Sequence, residues 1–349
     1  MTHVLPVLDL RDADSDAASF RARLLEATHD IGFFYLVGHG IGQPRIVQVF
    51  ALVREFFALT LEAKNEISQF QSPQFRGYSR LGGELTNGEM DWREQIDIGP
   101  ERPVIQGAEG YWRLQGPNLW PSSPAAFRSA FESWDRALSA VGKRLLGHWA
   151  VSLGAAEDLF DEAFGLPATL IKVVHYPGTA ETRQGVGAHK DSGVLTLLLV
   201  EPDSEGLQVE LASGEWIDVT PLPNAFVVNI GELLEVATGG FLRATRHRVL
   251  APRPGTDRVS IPYFLNPSLD ALVPIISLSP ELAALSRGVE ADPDNPIFNT
   301  YGENAWNRGR APIPMSQNCI TASSRVKSRQ RLERSPRPPP RPRRCVAPR

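Results

Sequence analysis

The chain has 349 residues, 42% hydrophobic and 22% charged, enough apolar material for one large domain or two ordinary ones. No run approaches the roughly 18 apolar residues of a membrane-spanning helix, and the acidic start around Asp9, Asp12 and Asp14 is unlike a signal peptide, so a cytoplasmic protein is expected. The net charge of −4 hides a tail, residues 325–349, at +9; the remaining body is at −13, which does not suit nucleic acid, and neither a membrane nor an obligate protein partner is expected.

In chain order, Pro6–Leu10 reads as a short strand and about Asp16–Asp30 as a helix, with Phe20, Leu24 and Ala27 on one side. Ile31–Val37 follows as a buried strand ended by Gly38-His39-Gly40. A helix starts near Pro44 and buries Val47, Phe50, Leu52, Val53, Phe56 and Phe57. Residues 68–122, rich in Gly, Pro, Arg and aromatics, read as loops and short strands. The longest helix spans about Ala125–Leu153. Its stripe of Phe127, Phe131, Trp134, Leu138, Val141, Leu145 and Trp149 is core rather than a cofactor box. A shorter helix is predicted over Ala156–Phe164.

From residue 169 the pattern turns to short β runs: Thr169–His175, Val194–Val200, Leu207–Leu211, Trp216–Thr220, Ala225–Ile230, Arg246–Ala251 and Arg258–Leu265. Their close punctuation by Gly, Pro, Asp and Asn suits an antiparallel sandwich or barrel. The expected organisation is an N-terminal α/β region (1–122), a helical support (123–168), a β-rich domain (169–306) and a basic tail (307–349).

Of the seven histidines, only His189 belongs to a His-x-Asp triplet, with Asp191. In extended chain such a pair shares one face and can grip a cation, and Gly185, Gly187 and Gly193 leave room for close approach. His247, on a strand-like stretch, is the best third ligand. Two histidines and one carboxylate with open positions form the facial triad of non-haem Fe(II) oxygenases; zinc more often takes a closed set of four. Arg258 and Ser260 share a strand face eleven residues beyond His247, where a guanidinium and a hydroxyl can hold a carboxylate. His39, in its Gly-His-Gly turn, and His175, which alternates away from Tyr176, are not expected to be ligands.

These residues sit within a longer set of matching stretches: residues 32–40, Tyr176-Pro177, 187–193, 206–209, 216–219, 227–232, the His247 segment and 258–262. In order and spacing the chain resembles the isopenicillin N synthase-like branch of Fe(II)- and 2-oxoglutarate-dependent dioxygenases over about residues 4–308. The resemblance implies a mainly β fold with α, a double-stranded β-helix (jelly-roll) core wrapped by N-terminal helices. It also implies Fe(II) on His189, Asp191 and His247, and 2-oxoglutarate contacts from Arg258, Ser260 and Tyr176. Val174 stands where plant members usually carry Asn, which removes one co-substrate hydrogen bond. O2 is the implied second co-substrate and ascorbate an optional stimulant. Arg76, Tyr78, Trp92, Arg93, Phe264 and Asn266 are candidate contacts to a small-molecule substrate.

The implied activity couples oxidative decarboxylation of 2-oxoglutarate to C–H oxidation of a small organic molecule, by hydroxylation, desaturation or cyclisation. Three alternatives stand beside it: a 2-oxoglutarate-independent oxidase like isopenicillin N synthase, an ethylene-forming type, and a non-catalytic jelly-roll. The end of the chain departs from the family. After Trp306 a one-base shift of a codon string for Ala311–Gln317 gives Ser-His-Pro-Asp-Val-Ala, resembling bacterial relatives. Everything after about Asn307 therefore reads as frameshifted, including the Pro/Arg-rich end and the only two cysteines, Cys319 and Cys345. The body is left with no disulfide, thiolate zinc site or thiol nucleophile.

Overall fold

The computed structural model describes residues 5–181, 183–289 and 296–309. The first elements are β1 (Val7–Asp9), α1 (Asp12–Ser15), α2 (Ala17–Asp30), β2 (Phe33–Val37), α3 (Gln43–Phe57) and α4 (Leu61–Asn65). Next come β3 (Gly77–Ser79), a small hairpin of β4 (Leu85–Thr86) and β5 (Glu89–Met90), β6 (Glu94–Ile98) and α5 (Phe127–Ser152). The β-rich half holds β7 (Leu170–Pro177), β8 (Gln184–His189), β9 (Leu195–Val200), β10 (Leu207–Glu210), β11 (Trp216–Asp218) and β12 (Phe226–Ile230). It closes with α6 (Glu232–Ala237), β13 (His247–Leu250), β14 (Asp257–Leu265), α7 (Pro280–Ala283) and α8 (Tyr301–Gly309).

Eight strands form one sheet in the order β1-β2-β12-β9-β14-β7-β6-β3, faced by a four-stranded sheet β11-β10-β13-β8. The two pack face to face as a jelly-roll. Strand alternation sorts the side chains into two cores. Phe33, Tyr35, Val174, Tyr176, Val200 and Val227 fill the space between the sheets with Val186, Leu207, Val209 and Val249. Phe34, Leu36, Leu197, Leu199, Phe226 and Val228 point the other way, against Phe20, Leu24, Phe131, Trp134, Leu145 and Trp149 of the helices. Both faces of the large sheet are covered, which explains why β2 reads as an unbroken apolar run. Because β1, β2, β3 and β6 belong to this sheet, the N-terminal region shares its hydrogen bonds with the catalytic strands.

The predicted helix over 156–164 is instead a series of turns, with Leu159 N bonded to Ala156 O at 3.1 Å and Asp161 N to Asp158 O at 2.9 Å. One α-turn, Phe164 N to Phe160 O at 3.0 Å, suffices to bury both rings, and so short a segment has little to gain from helix nucleation. The boundary drawn at residue 307 falls inside α8, which runs to Gly309. The frameshift reading and both cysteines otherwise lie outside the described residues. No helix among the described residues is long and apolar enough to cross a membrane.

On the helix side of the sheet, a buried polar knot ties α4 to β6 and β7. Glu94 accepts from Lys64 Nζ at 2.8 Å, from His175 Nδ1 at 2.8 Å and from the Tyr78 hydroxyl. Burial pushes the Glu94 carboxyl up, but the bonds from His175, Lys64 and Tyr78 outweigh it and the net pKa lies below the usual 4.5. Lys64→Met should cost about 3 kcal/mol in urea unfolding at pH 7, the low end for breaking a buried pair, because two other donors remain. A depressed carboxyl stabilises the fold above its unfolded pKa, and this is lost as pH falls through the folded value. The gap between wild type and variant should therefore narrow only below about pH 4.5.

Candidate active site

The pairing of β13 with β8 sets His247 directly opposite His189, and their rings stand 4.4 Å apart. Asp191 follows two residues after His189, in the turn between β8 and β9. Its Oδ1 lies 3.6 Å from His189 Nε2 and 3.7 Å from His247 Nε2. One ligand atom from each of the three residues lies within 4.8 Å of the others, a spacing that can hold a metal ion.

The remaining polar atoms of the triad are already committed. His189 Nδ1 bonds Gly187 O at 2.8 Å, and His247 Nδ1 bonds Thr245 O at 3.1 Å. A carbonyl can only accept, so each Nδ1 donates and each Nε2 keeps its lone pair. Asp191 Oδ2 accepts from Thr196 Oγ1 at 2.5 Å and from Asn229 Nδ2 at 2.7 Å, which leaves Oδ1 for the cation. Burial and the charge at His189 lower the His247 pKa to about 4, so this imidazole is neutral. Burial would raise the Asp191 pKa, yet His247, His189 and Asn229 hold it well below the usual carboxylate range. Two imidazole nitrogens and a carboxylate oxygen on one face suit Fe(II).

Close backbone contacts shape the turn that carries Asp191. A Cβ on Gly231 would stand 2.1 Å from Gly193 O, and one on Gly193 would stand 2.0 Å from Asn266 Oδ1. Glu232 N bonds Asp191 O at 2.8 Å, tying the turn to the start of α6. Phe33 of β2 packs edge-on against His247 at 5.3 Å, so the N-terminal region also supports the metal end.

Deeper between the sheets, Arg258 on β14 pairs with Tyr176 on β7, and its guanidinium lies 4.8 Å over the Tyr176 ring. Only 1% of Arg258 is exposed. Nη1 bonds Ser260 Oγ at 2.9 Å, while Nε and Nη2 are buried and unpartnered. Burial lowers its pKa, and no carboxylate among the described residues forms an ion pair with it. A buried fork with two spare N–H groups fits an external carboxylate. Ser260 pairs with Val200, and Phe264 with Thr196, which bonds Asp191. About 13 Å of strand thus separates the Arg258–Ser260 end from the metal end, room for side chains and a five-carbon diacid between them.

Two family models match the chain: the non-haem dioxygenase N-terminal family, described for morphine synthesis, over residues 5–123, and the 2OG-Fe(II) oxygenase superfamily over residues 168–267. The chain is 35% identical over 303 residues to the 2-oxoglutarate-dependent dioxygenase frbJ of Dothideomycetidae sp. (strain 11243), covering 82% of this chain and 80% of the relative. The chain belongs to the 2OG-Fe(II) oxygenase superfamily. It is also 33% identical to homoarginine-6-hydroxylase 2-ODD-C23.1 of Arabidopsis thaliana, over 79% of this chain and 85% of that one. Among solved structures, a full-length Neurospora crassa protein in complex with alpha-KG superposes with a TM-score of 0.71 at 25% identity, covering 87% of this chain and 95% of that one. This oxygenase is therefore an Fe(II)- and 2-oxoglutarate-dependent dioxygenase, which couples oxidative decarboxylation of 2-oxoglutarate to oxidation of a small-molecule substrate.

The candidate substrate contacts fall into two groups. Arg93 shares the inner sheet face with Tyr176; its Nη2 lies 3.1 Å from Asp91 Oδ2 and its Nε is buried without a partner. Phe264 and Asn266 lie at the metal end, where Asn266 Oδ1 touches Gly193. Arg76 leans on Gly99. Tyr78 and Trp92 do not join them. Tyr78 alternates onto the opposite face and bonds Glu94, 5.5 Å beneath Lys64 Nζ. Trp92 braces β7 at the rim, its Nε1 bonded to Pro177 O at 3.0 Å and its ring stacked under Arg183. His39 bonds Asn224 O at 3.1 Å and His175 bonds Glu94, so neither joins the triad.

Sequence reasoning missed Thr196, Asn229 and Asp91. Asn229 carried a signal, as a lone amide inside the apolar run Val227-Val228-Asn229-Ile230 that must find a buried partner. Asp91, fully buried, accepts from Gly187 N at 3.2 Å, Thr86 Oγ1 at 2.8 Å and Gln184 Nε2 at 3.1 Å. It clamps the β4–β5 hairpin onto β8, a link across 96 residues that no local pattern announces.

Proposed function

We propose that this oxygenase hydroxylates an aliphatic C–H bond of a small polar molecule of amino-acid size. In this reading His189 and His247 hold iron through Nε2 and Asp191 through Oδ1. Arg258, Ser260 and Tyr176 receive the far carboxylate of 2-oxoglutarate. When bound, iron and 2-oxoglutarate would activate O2 for C–H oxidation, one oxygen atom entering succinate as CO2 leaves and the other entering the substrate. The chain's own part is to fix three ligand atoms, leave the opposite face of the cation open and exclude water between the sheets.

One observation carries the substrate class. On the inner face of the sheet and at the metal end, Arg76 Nε, Arg93 Nε, Gln95 Oε1 and Asn266 Oδ1 are all buried without a hydrogen-bond partner. A pocket for a flat apolar ring would not present so many unmet polar groups. The homoarginine-6-hydroxylase relative points to the same class. The test supplies Fe(II), 2-oxoglutarate and O2 with either L-homoarginine and other polar amino acids or apolar aromatic compounds. Succinate release and a product 16 mass units heavier are expected with the polar set. Stimulation by the aromatic set alone would overturn the reading.

A further inference from the structure

The inner face of β6 extends beyond the jelly-roll as Arg93, Gln95, Asp97 and Gly99, alternate residues on one line. Strand registers give its level. Ile98 pairs with Ile171, Ile171 with Tyr263, and the adjacent Phe264 with Thr196, whose hydroxyl bonds the metal-site carboxylate. The Gly99 end is therefore level with the triad and three strands away, about 14 Å at the usual strand spacing. A small substrate held at the Gly99 end would have to span that distance to reach the metal end.

Arg76 occupies this end. Its guanidinium rests on the bare backbone of Gly99, where a Cβ would stand 2.2 Å from Cζ and Nη2 and 2.6 Å from Nε. Any larger residue at 99 would push the guanidinium away. Nε is sealed and unpartnered, and among the described residues no carboxylate makes an ion pair with Arg76. The acid nearest in effect is Asp97. That carboxylate is already taken, by Lys172 Nζ at 2.7 Å and Gln95 Nε2 at 2.8 Å. Arg102 adds a second guanidinium to the neighbourhood, bonded only to Pro167 O at 3.0 Å.

Asp97 is held by Lys172 and Asp135 acts on Arg102, so three cations at this end face two carboxylates and Arg76 has neither to itself. A half-buried cation with a sealed Nε and no ion-pair partner among the described residues is costly to maintain. A planar fork answers best to a carboxylate, which it can hold through two parallel hydrogen bonds.

We propose that Arg76 binds a carboxylate of the oxidised substrate, so that this oxygenase acts on small organic acids held by the acid group with the reacting carbon toward the triad. This rests on, and narrows, the polar-substrate reading above. Arg76 is distinct from Arg258, which faces the far end of 2-oxoglutarate six residues deeper along β14, counted from Phe264.

The test uses the full chain loaded anaerobically with Fe(II) and 2-oxoglutarate. L-homoarginine, L-lysine and L-leucine, each beside its primary amide, are titrated while the visible iron–2-oxoglutarate band is followed. The acids should bind at least about 100-fold more tightly than the amides, and Arg76→Met should abolish that preference. The variant should still develop the band, which checks its fold. Because the unpaired cation is gone, it should also melt at or above the wild-type temperature without ligand. Equal binding of acid and amide, or a preference retained in the variant, would overturn the proposal. If no compound in either form binds, the polar-substrate reading fails and the melting comparison decides Arg76 alone. A lower Tm would then mark it as a structural prop and overturn the proposal, and an equal or higher one would support it.

Discussion

Asp191→Ala is expected to lose Fe(II) affinity by more than the roughly 100-fold that removal of a supporting hydrogen bond can cause around a metal. Asp191 offers the only carboxylate oxygen of the triad, and it bridges the 3.6 Å and 3.7 Å gaps to the two imidazoles. Without it, His189 and His247 offer two imidazoles and no anionic ligand to offset the cation. Thr196→Val and Asn229→Leu remove one donor each from Asp191 Oδ2 and should weaken iron by about 10- to 100-fold. Calorimetric titration of anaerobic apoprotein with Fe(II) gives the order. If Thr196→Val lost more affinity than Asp191→Ala, the assignment of Oδ1 to the metal would be wrong.

Arg258→Met should leave iron bound and weaken 2-oxoglutarate by about 30- to 4,000-fold, corresponding to about 2–5 kcal/mol for a truncated buried charge pair. The side chain is 1% exposed and two of its N–H groups meet nothing in the protein. A lysine would not restore the site, since an ammonium cannot reproduce the fork that also reaches Ser260. Titration followed by the visible band of the iron-chelated keto acid measures the loss. Wild-type affinity in Arg258→Met would remove Arg258 from the co-substrate site.

How far these residues could be read in advance depended on how locally each one's role is set. Arg-x-Ser lies on one strand, where a two-residue spacing places both side chains on one face, and the His-x-Asp pair leaves the end of β8 with the same short spacing. The stripe on α5 was legible for the same reason, since helix periodicity alone lines up Phe127 to Trp149. The helix assigned to 156–164 failed because two buried rings four residues apart look alike in a helix and in a single turn. Tyr78 and Trp92 failed because the irregular 68–122 region hides which residues lie in a strand, and a one-residue difference exchanges pocket for outer face.

By itself the sequence determined the fold class and the kind of chemistry, and it singled out the residues proposed for the metal and the co-substrate, because these follow from residue types at short, regular spacings. Only the tertiary structure decided which polar groups are left without partners. Whether Arg76 has a counter-ion depends on Asp97 already being held by Lys172, and whether Asp191 offers one oxygen or two depends on Thr196 and Asn229. Such facts belong to contacts between strands far apart in the chain. Hydrogen-bond capacity is finite, and only packing shows how it has been spent.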